Sequence, residues 1–301
     1  MTVYIDKYSP QDLLKKFNSK LSCYARLIRL DRPIGTLLLM WPALWGLWIA
    51  GAGSPPTSTV IVFVLGVILM RAAGCAINDY ADRNFDAHVA RTCNRPLATK
   101  EITSNEAIAI FLILSLIAFA LVLTQNLLTI AMSFIAVLLT AIYPFMKRIT
   151  HIPQLVLGTA FGWAVPMAFT AIRDQVPILG WQIFFAVILW AIIYDTQYAM
   201  VDRNDDLKIG IKSTAILFGR NDRLIIGLLQ GLMILVLVSI GIATELNIPY
   251  YSSLIIGIGL FLYQQYLIRN RDPKDCLAAF LHNNYFGMCI FTGILLDYAV
   301  Y

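Results

Sequence analysis

Nine apolar runs, each about as long as a bilayer is thick, leave this sequence little choice of fold. They occupy roughly 34–52, 59–77, 105–123, 127–146, 154–172, 178–201, 224–243, 248–268 and 282–300. A hydrocarbon core about 30 Å thick asks for a helix of about 20 apolar residues. In lipid such a segment must satisfy its own backbone, which a helix does. Charged residues are 14% of the 301 and hydrophobic residues 59%. An average soluble chain carries about 25% charged residues, so a water-soluble globule is excluded. The expected fold class is all-α, a polytopic membrane protein of nine transmembrane helices forming one domain over 1–301. Pro42 and Pro166 fall inside two runs, where a membrane helix tolerates a kink.

The charges alternate in side. Of 23 Lys and Arg, 21 lie in the N-terminal segment or in the loops after the second, fourth, sixth and eighth runs. The opposite loops carry only Arg173, and Arg71 lies within the second run. The positive-inside rule then places the N-terminus in the cytoplasm and the C-terminus outside. Residues 1–33, with Lys7, Lys15, Lys16, Lys20, Arg26, Arg29 and Arg32, read as an amphipathic leader on the cytoplasmic face, not a cleavable signal. Two cytoplasmic loops, 78–104 and 202–223, are long and carry acids as well as bases. Joining helices needs only a few residues, so these capping loops are where chemistry is expected.

Each long loop opens on an aspartate cluster. In the first, Asn78, Asp82 and Asp86 are spaced four apart, one face of a helix. In the second, Asp202 and Asp206 repeat that spacing, and Asp195 lies seven residues before Asp202 on nearly the same face, two turns deeper. Like charges at this spacing repel, and at a membrane boundary they cost more. A multivalent cation removes both penalties. Oxygen donors without Cys or His select a hard ion such as Mg2+, which takes one or two carboxylates together with substrate phosphates. A diphosphate is therefore the natural ligand of the pair. The alternative for either cluster alone is a polar helix end in water; Asp79 and Asp205 in particular also fit a solvent-facing place.

Cations accompany the acids: Arg95 in the first loop, Lys147 and Arg148 as the only charges of a short loop, Lys208 and Lys212 after the second cluster. Such groups neutralise a diphosphate and assist its departure, although each also serves the positive-inside pattern. Other patterns carry less. Cys23, Cys75, Cys93, Cys276 and Cys289 show no metal or disulfide spacing, and three scattered histidines argue against zinc. The segment Gly210 to Thr214 lacks the glycines of a P-loop. Gly158 and Gly162 form a GxxxG pair, by default a helix-packing motif.

The sequence resembles the UbiA prenyltransferases of membrane quinone synthesis over nearly its whole length. The resemblance rests on Asp31 to Gly35, Met70 to Cys75, Asn78 to Asp86, Asn94 to Leu97, Tyr143 to Arg148 and Tyr194 through Gly219. It implies helices around a central cavity capped by the two polar loops, in a bacterial inner membrane. It implies transfer of a polyprenyl group from a polyprenyl diphosphate, lying in a groove open to lipid, to the ring carbon ortho to the hydroxyl of 4-hydroxybenzoate, with Mg2+ as cofactor. No nucleic-acid partner is expected.

On this reading Asn78, Asp82 and Asp86 hold one magnesium, and Asp202 and Asp206 the other. Asp195 orients the acceptor or serves as base, and Arg148 grips the acceptor carboxylate with its planar fork or binds diphosphate. Arg71, Asp79, Arg95, Lys147, Tyr194, Lys208 and Lys212 complete the expected substrate-binding set. The rival is an ion-coupled secondary transporter, since intramembrane carboxylates also mark ion paths. Against it, the clusters sit at one interface and not at the midplane.

Overall fold

Every apolar run becomes a helix, and several continue beyond the limits set by hydropathy because polar residues at their ends hold helical backbone equally well. The structure, a computed structural model, describes residues 10–89 and 91–301. Lys7, with the first nine residues of the expected leader, lies outside the described residues, as do the side chains of Lys15 and Lys16. The helices are α1 (Pro10–Leu27), α2 (Ile34–Ala50), α3 (Thr57–Asp82), α4 (Ser104–Val122), α5 (Leu127–Ile149), α6 (Pro153–Gly162), α7 (Ala164–Arg173), α8 (Ile178–Ile209), α9 (Thr214–Phe218), α10 (Asp222–Ala243), α11 (Ile248–Leu267) and α12 (Pro273–Val300). Among the described residues there is no strand. Among the described residues eight helical spans are long and apolar enough to cross a membrane, with α6–α7 and α9–α10 each counted as one, and α2 is a ninth, shorter apolar helix. This is a multi-pass membrane protein.

Three of the limits that differ from those read in the sequence have a local cause. Helix α8 runs eight residues beyond position 201, so Asp202 and Asp206 stand on continuous helix. It stops at Gly210, whose φ of 72° is the left-handed conformation that glycine adopts without steric cost. Helix α12 starts at Pro273, nine residues early, capped by Asp272, which accepts from the Lys274 amide at 3.4 Å. The fifth run is divided: Pro166 has no N–H for the Gly162 carbonyl, and its ring crowds that group, so the helix breaks between Gly162 and Ala164. Pro42 and Pro144 lie within undivided helices.

The interior joins α2, α8, α11 and α12. Trp45 stacks on Trp190 with ring centroids 5.3 Å apart, and Phe261 on Phe286 at 4.1 Å. Gly287 admits both Trp41 and Trp190; a Cβ there would meet each at 2.5 Å. Gly158 and Gly162 pack against α8, at Ile188 and Ala191 and at Phe184 and Val187 respectively, the close approach expected of small residues at a membrane helix interface. Large side chains such as Leu116, Leu127, Phe134, Leu228, Leu235 and Ile255 point outward, which suits lipid and not water.

A buried polar network fixes the rotation of α8. Gln197 donates to Gln264 (3.1 Å), Asn283 to Gln197 (2.8 Å), and the Trp190 indole N–H to Asn283 (2.9 Å). Gln230 also donates to Gln264 at 3.3 Å. In an apolar interior these amides must satisfy one another, and rotating α8 would break the set. The opposite face of α8 is therefore held toward α3, and that face carries Asp195, Asp202 and Asp206.

Candidate active site

Five carboxylates from two distant stretches of chain face one cavity. Asp82 closes α3, Asp86 opens a single 3-10 turn (Asp86–His88) just after it, and Asp202 and Asp206 lie on the last two turns of α8. Together they line a cavity of about 90 Å3 with Arg91, Arg95, Lys147, Asp195 and Lys212. Asn78, one turn below Asp82, donates to its carboxylate at 3.3 Å.

Basic side chains occupy these acids. Lys147 donates to Asp82 (3.2 Å) and Arg95 to Asp86 (2.9 Å). Arg91 meets Asp202 through both oxygens, its Nε 3.0 Å from each and an NH2 2.5 Å from Oδ2. Burial pushes the Asp86 carboxyl above its ordinary range, with Arg95 opposing that shift. Burial also works against the Arg95 charge, but Asp79 and Asp86 outweigh it and hold the guanidinium protonated. The site thus sets burial, which disfavours the charged carboxylate of Asp86, against the neighbouring charge of Arg95.

A second cavity, of about 380 Å3, abuts the first. Arg91, Arg95, Tyr143, Lys147, Asp195 and Tyr198 line both. From that shared polar wall it runs away between α2, α3, α4, α5 and α7 over apolar side chains such as Phe63, Val67, Ala118 and Val137. Two polar groups on its wall stand out. The Arg71 Nε is buried with no hydrogen-bond partner among the described residues, and so is the Tyr194 hydroxyl. Gly35 leaves room for the Arg71 guanidinium, since a Cβ there would lie 2.2 Å from it. A guanidinium with a buried, unpaired donor costs free energy until an anion arrives.

The structure therefore gathers Asn78, Asp82, Asp86, Arg95, Lys147, Asp195, Asp202, Asp206 and Lys212, with Arg71 and Tyr194 deeper in the larger cavity. It does not bring in three others. Asp79 lines neither cavity and does not face solvent. It is fully buried and accepts from Arg29 at 2.7 Å and Arg95 at 3.2 Å. Arg148 is exposed, donates to the Ala81 carbonyl and lies over the Phe85 and Phe145 rings at 4.9 and 5.7 Å. Its predecessor Lys147 is the one that points inward, because neighbouring helix positions diverge by about 100°. Lys208 is exposed and pairs with Asp205 at 3.2 Å, on the far side of α8 from the aspartates.

Sequence reasoning passed over Arg91, Tyr143, Gln154 and Tyr198. Gln154 lines the small cavity with Asp195 and accepts from the Thr214 amide at 3.1 Å. The Arg91 guanidinium lies 4.5 Å from the Tyr198 ring centroid, a cation–π contact that helps hold it over the site.

The donor set suits a hard cation. The small cavity presents carboxylate and amide oxygens and no Cys or His, the preference of Mg2+. Among the described residues no three of these acids converge tightly enough to hold a metal alone. They are spread around the wall with cations between them, an arrangement suited to a metal that takes its remaining ligands from a phosphate.

Comparison with known proteins gives the following. The model of the UbiA prenyltransferase family matches residues 39–288. The chain is 59% identical over 274 residues to a 4-hydroxybenzoate octaprenyltransferase of Alkalilimnicola ehrlichii, covering 91% of this chain and 94% of the relative. It is 59% identical to that of Nitrosococcus oceani, covering 93% and 98%, and 55% identical to that of Klebsiella pneumoniae, covering 93% and 97%. Among solved structures it is similar to an apo UbiA homolog from Aeropyrum pernix, with TM-score 0.78 and 24% identity over 87% of this chain and 97% of that one. It is also similar to a UbiA homolog from Archaeoglobus fulgidus bound to GPP and Mg2+, with TM-score 0.70 and 19% identity over 91% and 99%.

Proposed function

Because this chain belongs to the UbiA prenyltransferase family, we propose that its two abutting cavities divide one substrate between them. The small, charged cavity takes the diphosphate of a polyprenyl diphosphate, and the large cavity takes the tail and the aromatic acceptor. The observation that carries this reading is the shared wall: Arg91, Arg95, Lys147 and Asp195 border both spaces, so a leaving group and a reacting carbon would meet there. The curated relatives support 4-hydroxybenzoate as acceptor and an octaprenyl chain as donor.

Mg2+ fits the oxygen donors, with Asn78, Asp82 and Asp86 on one side and Asp202 and Asp206 on the other; when bound it neutralises charge developing on the diphosphate. The chain's own residues do the rest. Arg91, Arg95 and Lys147 exchange their carboxylate partners for phosphate oxygens as the prenyl C1–O bond breaks and its electron pair leaves with the diphosphate. Arg71 holds the acceptor carboxylate, which satisfies its unpaired donor, and sets the ring below the shared wall. The ring carbon ortho to the phenol oxygen forms the new C–C bond with prenyl C1. Asp195, on the wall of both cavities, takes the proton that this carbon then releases.

The cytoplasmic side carries the site, the leader of residues 1–33 and the capping loops, with the N-terminus inside and the C-terminus outside a bacterial inner membrane. The distribution of Lys and Arg supports that orientation. The test is purified protein in detergent with Mg2+, a short prenyl diphosphate and a panel of aromatic acids, read by mass spectrometry. A prenylated 4-hydroxybenzoate is expected. No product without a sealed vesicle would favour the transporter.

A further inference from the structure

Gly66 stands on α3 twelve residues before Asn78, which at 1.5 Å per residue puts it roughly 18 Å from the charged mouth. It lines the large cavity. A Cβ built on it meets nothing within 4 Å, unlike Gly35, Gly158, Gly162 or Gly287, each of which is hemmed in by a neighbour. The outward face of α3 is marked by the exposed Ile61, Leu65 and Ile68. Gly66 lies about 100° from Leu65 and about 160° from Ile68 around the helix, so the open space beside it is the cavity. The same cavity continues past Gly66 to Val62 on α3, Phe119 and Val122 on α4 and Ser133 on α5. From Asn78 to Val62 is about 24 Å of helix, most of a hydrocarbon core about 30 Å thick.

We propose that Gly66 sets the width of the channel at the depth of about the fourth isoprene unit, and so lets long prenyl chains pass while contributing nothing to the binding of short ones. An extended isoprene adds four C–C bonds of about 1.5 Å each, near 5 Å per unit after allowing for bond angles, so roughly 18 Å is reached within the fourth unit. A side chain at 66 has no protein atom to displace and would stand in the path of the tail. The inference rests on the reading of the large cavity as the tail site. Its own prediction is a length threshold, which burial of tail surface in general does not give.

The experiment is a series of prenyl diphosphates of two, three, four and eight units assayed with Gly66→Phe, Gly66→Leu and Gly66→Ala, each first checked for a monodisperse peak and an unchanged melting temperature in detergent. Gly74→Val is run beside them. Gly74 lines the same cavity four residues before Asn78, where a Cβ touches only Thr140 at 3.5 Å. With Gly66→Phe, turnover of the two-unit donor is expected within about twofold of wild type while kcat/KM for the eight-unit donor falls more than about tenfold, the scale on which a filled pocket discriminates substrates. Gly66→Leu should act similarly and Gly66→Ala should be silent. Gly74→Val should impair every length. An equal loss at all lengths, or no loss at any, in folded Gly66→Phe and Gly66→Leu would overturn the role given to Gly66. If Gly74→Val still impairs every length, the tail channel itself stands; if Gly74→Val also spares every length, that reading falls with it.

Discussion

Arg91 and Asp202 face each other through three contacts of 2.5–3.0 Å although 111 residues separate them in the chain. The pair ties the loop after α3 to the end of α8, and it places a guanidinium where a diphosphate would need one. Arg91→Gln should lower kcat/KM for the prenyl diphosphate on the order of 10–100-fold with little change in KM for the aromatic acid, and Arg91→Lys should recover only part of it, because lysine lacks the planar fork. Steady-state kinetics with each substrate varied in turn checks this. A loss confined to the acceptor KM would move Arg91 out of the diphosphate site.

The acceptor clamp gives a contrast between two arginines. Arg71 is half-buried on the wall of the larger cavity with a buried, unpaired Nε, whereas Arg148 is exposed over two phenylalanine rings. Arg71→Ala should raise the apparent KM for 4-hydroxybenzoate far more than that for the diphosphate, and Arg148→Ala should leave both within about threefold, the range of a surface contact. The reverse pattern would return the clamp to Arg148.

Asp79 makes a different prediction, since it lines neither cavity. Removing its charge leaves Arg29 without its buried partner and Arg95 with Asp86 alone, and breaking a fully desolvated pair costs about 3 kcal/mol. Asp79→Ala should therefore lower the thermal stability of the detergent-solubilised protein, and should weaken diphosphate binding only as far as Arg95 loses its position. An unchanged melting temperature would mean that the pair is not structural.

Much of this arrangement could be read from the sequence, and helix phase explains both what the structure gathers and what it leaves apart. Asp195, Asp202 and Asp206 share a face of α8, and Arg71 stands seven residues before Asn78 as Asp195 stands before Asp202. By the same geometry Lys208, thirteen residues from Asp195, falls about 140° away, and Asp79 about 100° from Asn78. Their places were thus legible, but proximity in sequence to the clusters counted for more than phase. Arg91 was not legible, because spacing rules speak within one helix and its partner lies on another. The division at Gly162 was foreshadowed by Pro166. The early start of α12 was hidden because Lys274 and Asp275 look like loop while their backbone is helical.

The charge distribution predicts the orientation. Reporter fusions near residues 55, 125 and 175 should read outside, and fusions near 148 and 210 inside, because 21 of 23 basic residues fall on one side. A cytoplasmic signal at two of the first three sites would contradict the nine-helix topology.

The central claim is that acids from α3 and α8 act at one cavity to hold a metal-bound diphosphate. Its most direct measurement is prenylated product formed by the Asp82→Asn, Asp202→Asn double variant in detergent with Mg2+, quantified by mass spectrometry beside the wild type. Each substitution keeps shape and removes one charge, and relief of repulsion among neighbouring carboxylates should leave the protein folded. Product is expected to fall to background, as it should for the wild type in excess EDTA. Product at the wild-type rate from the folded double variant would contradict the account.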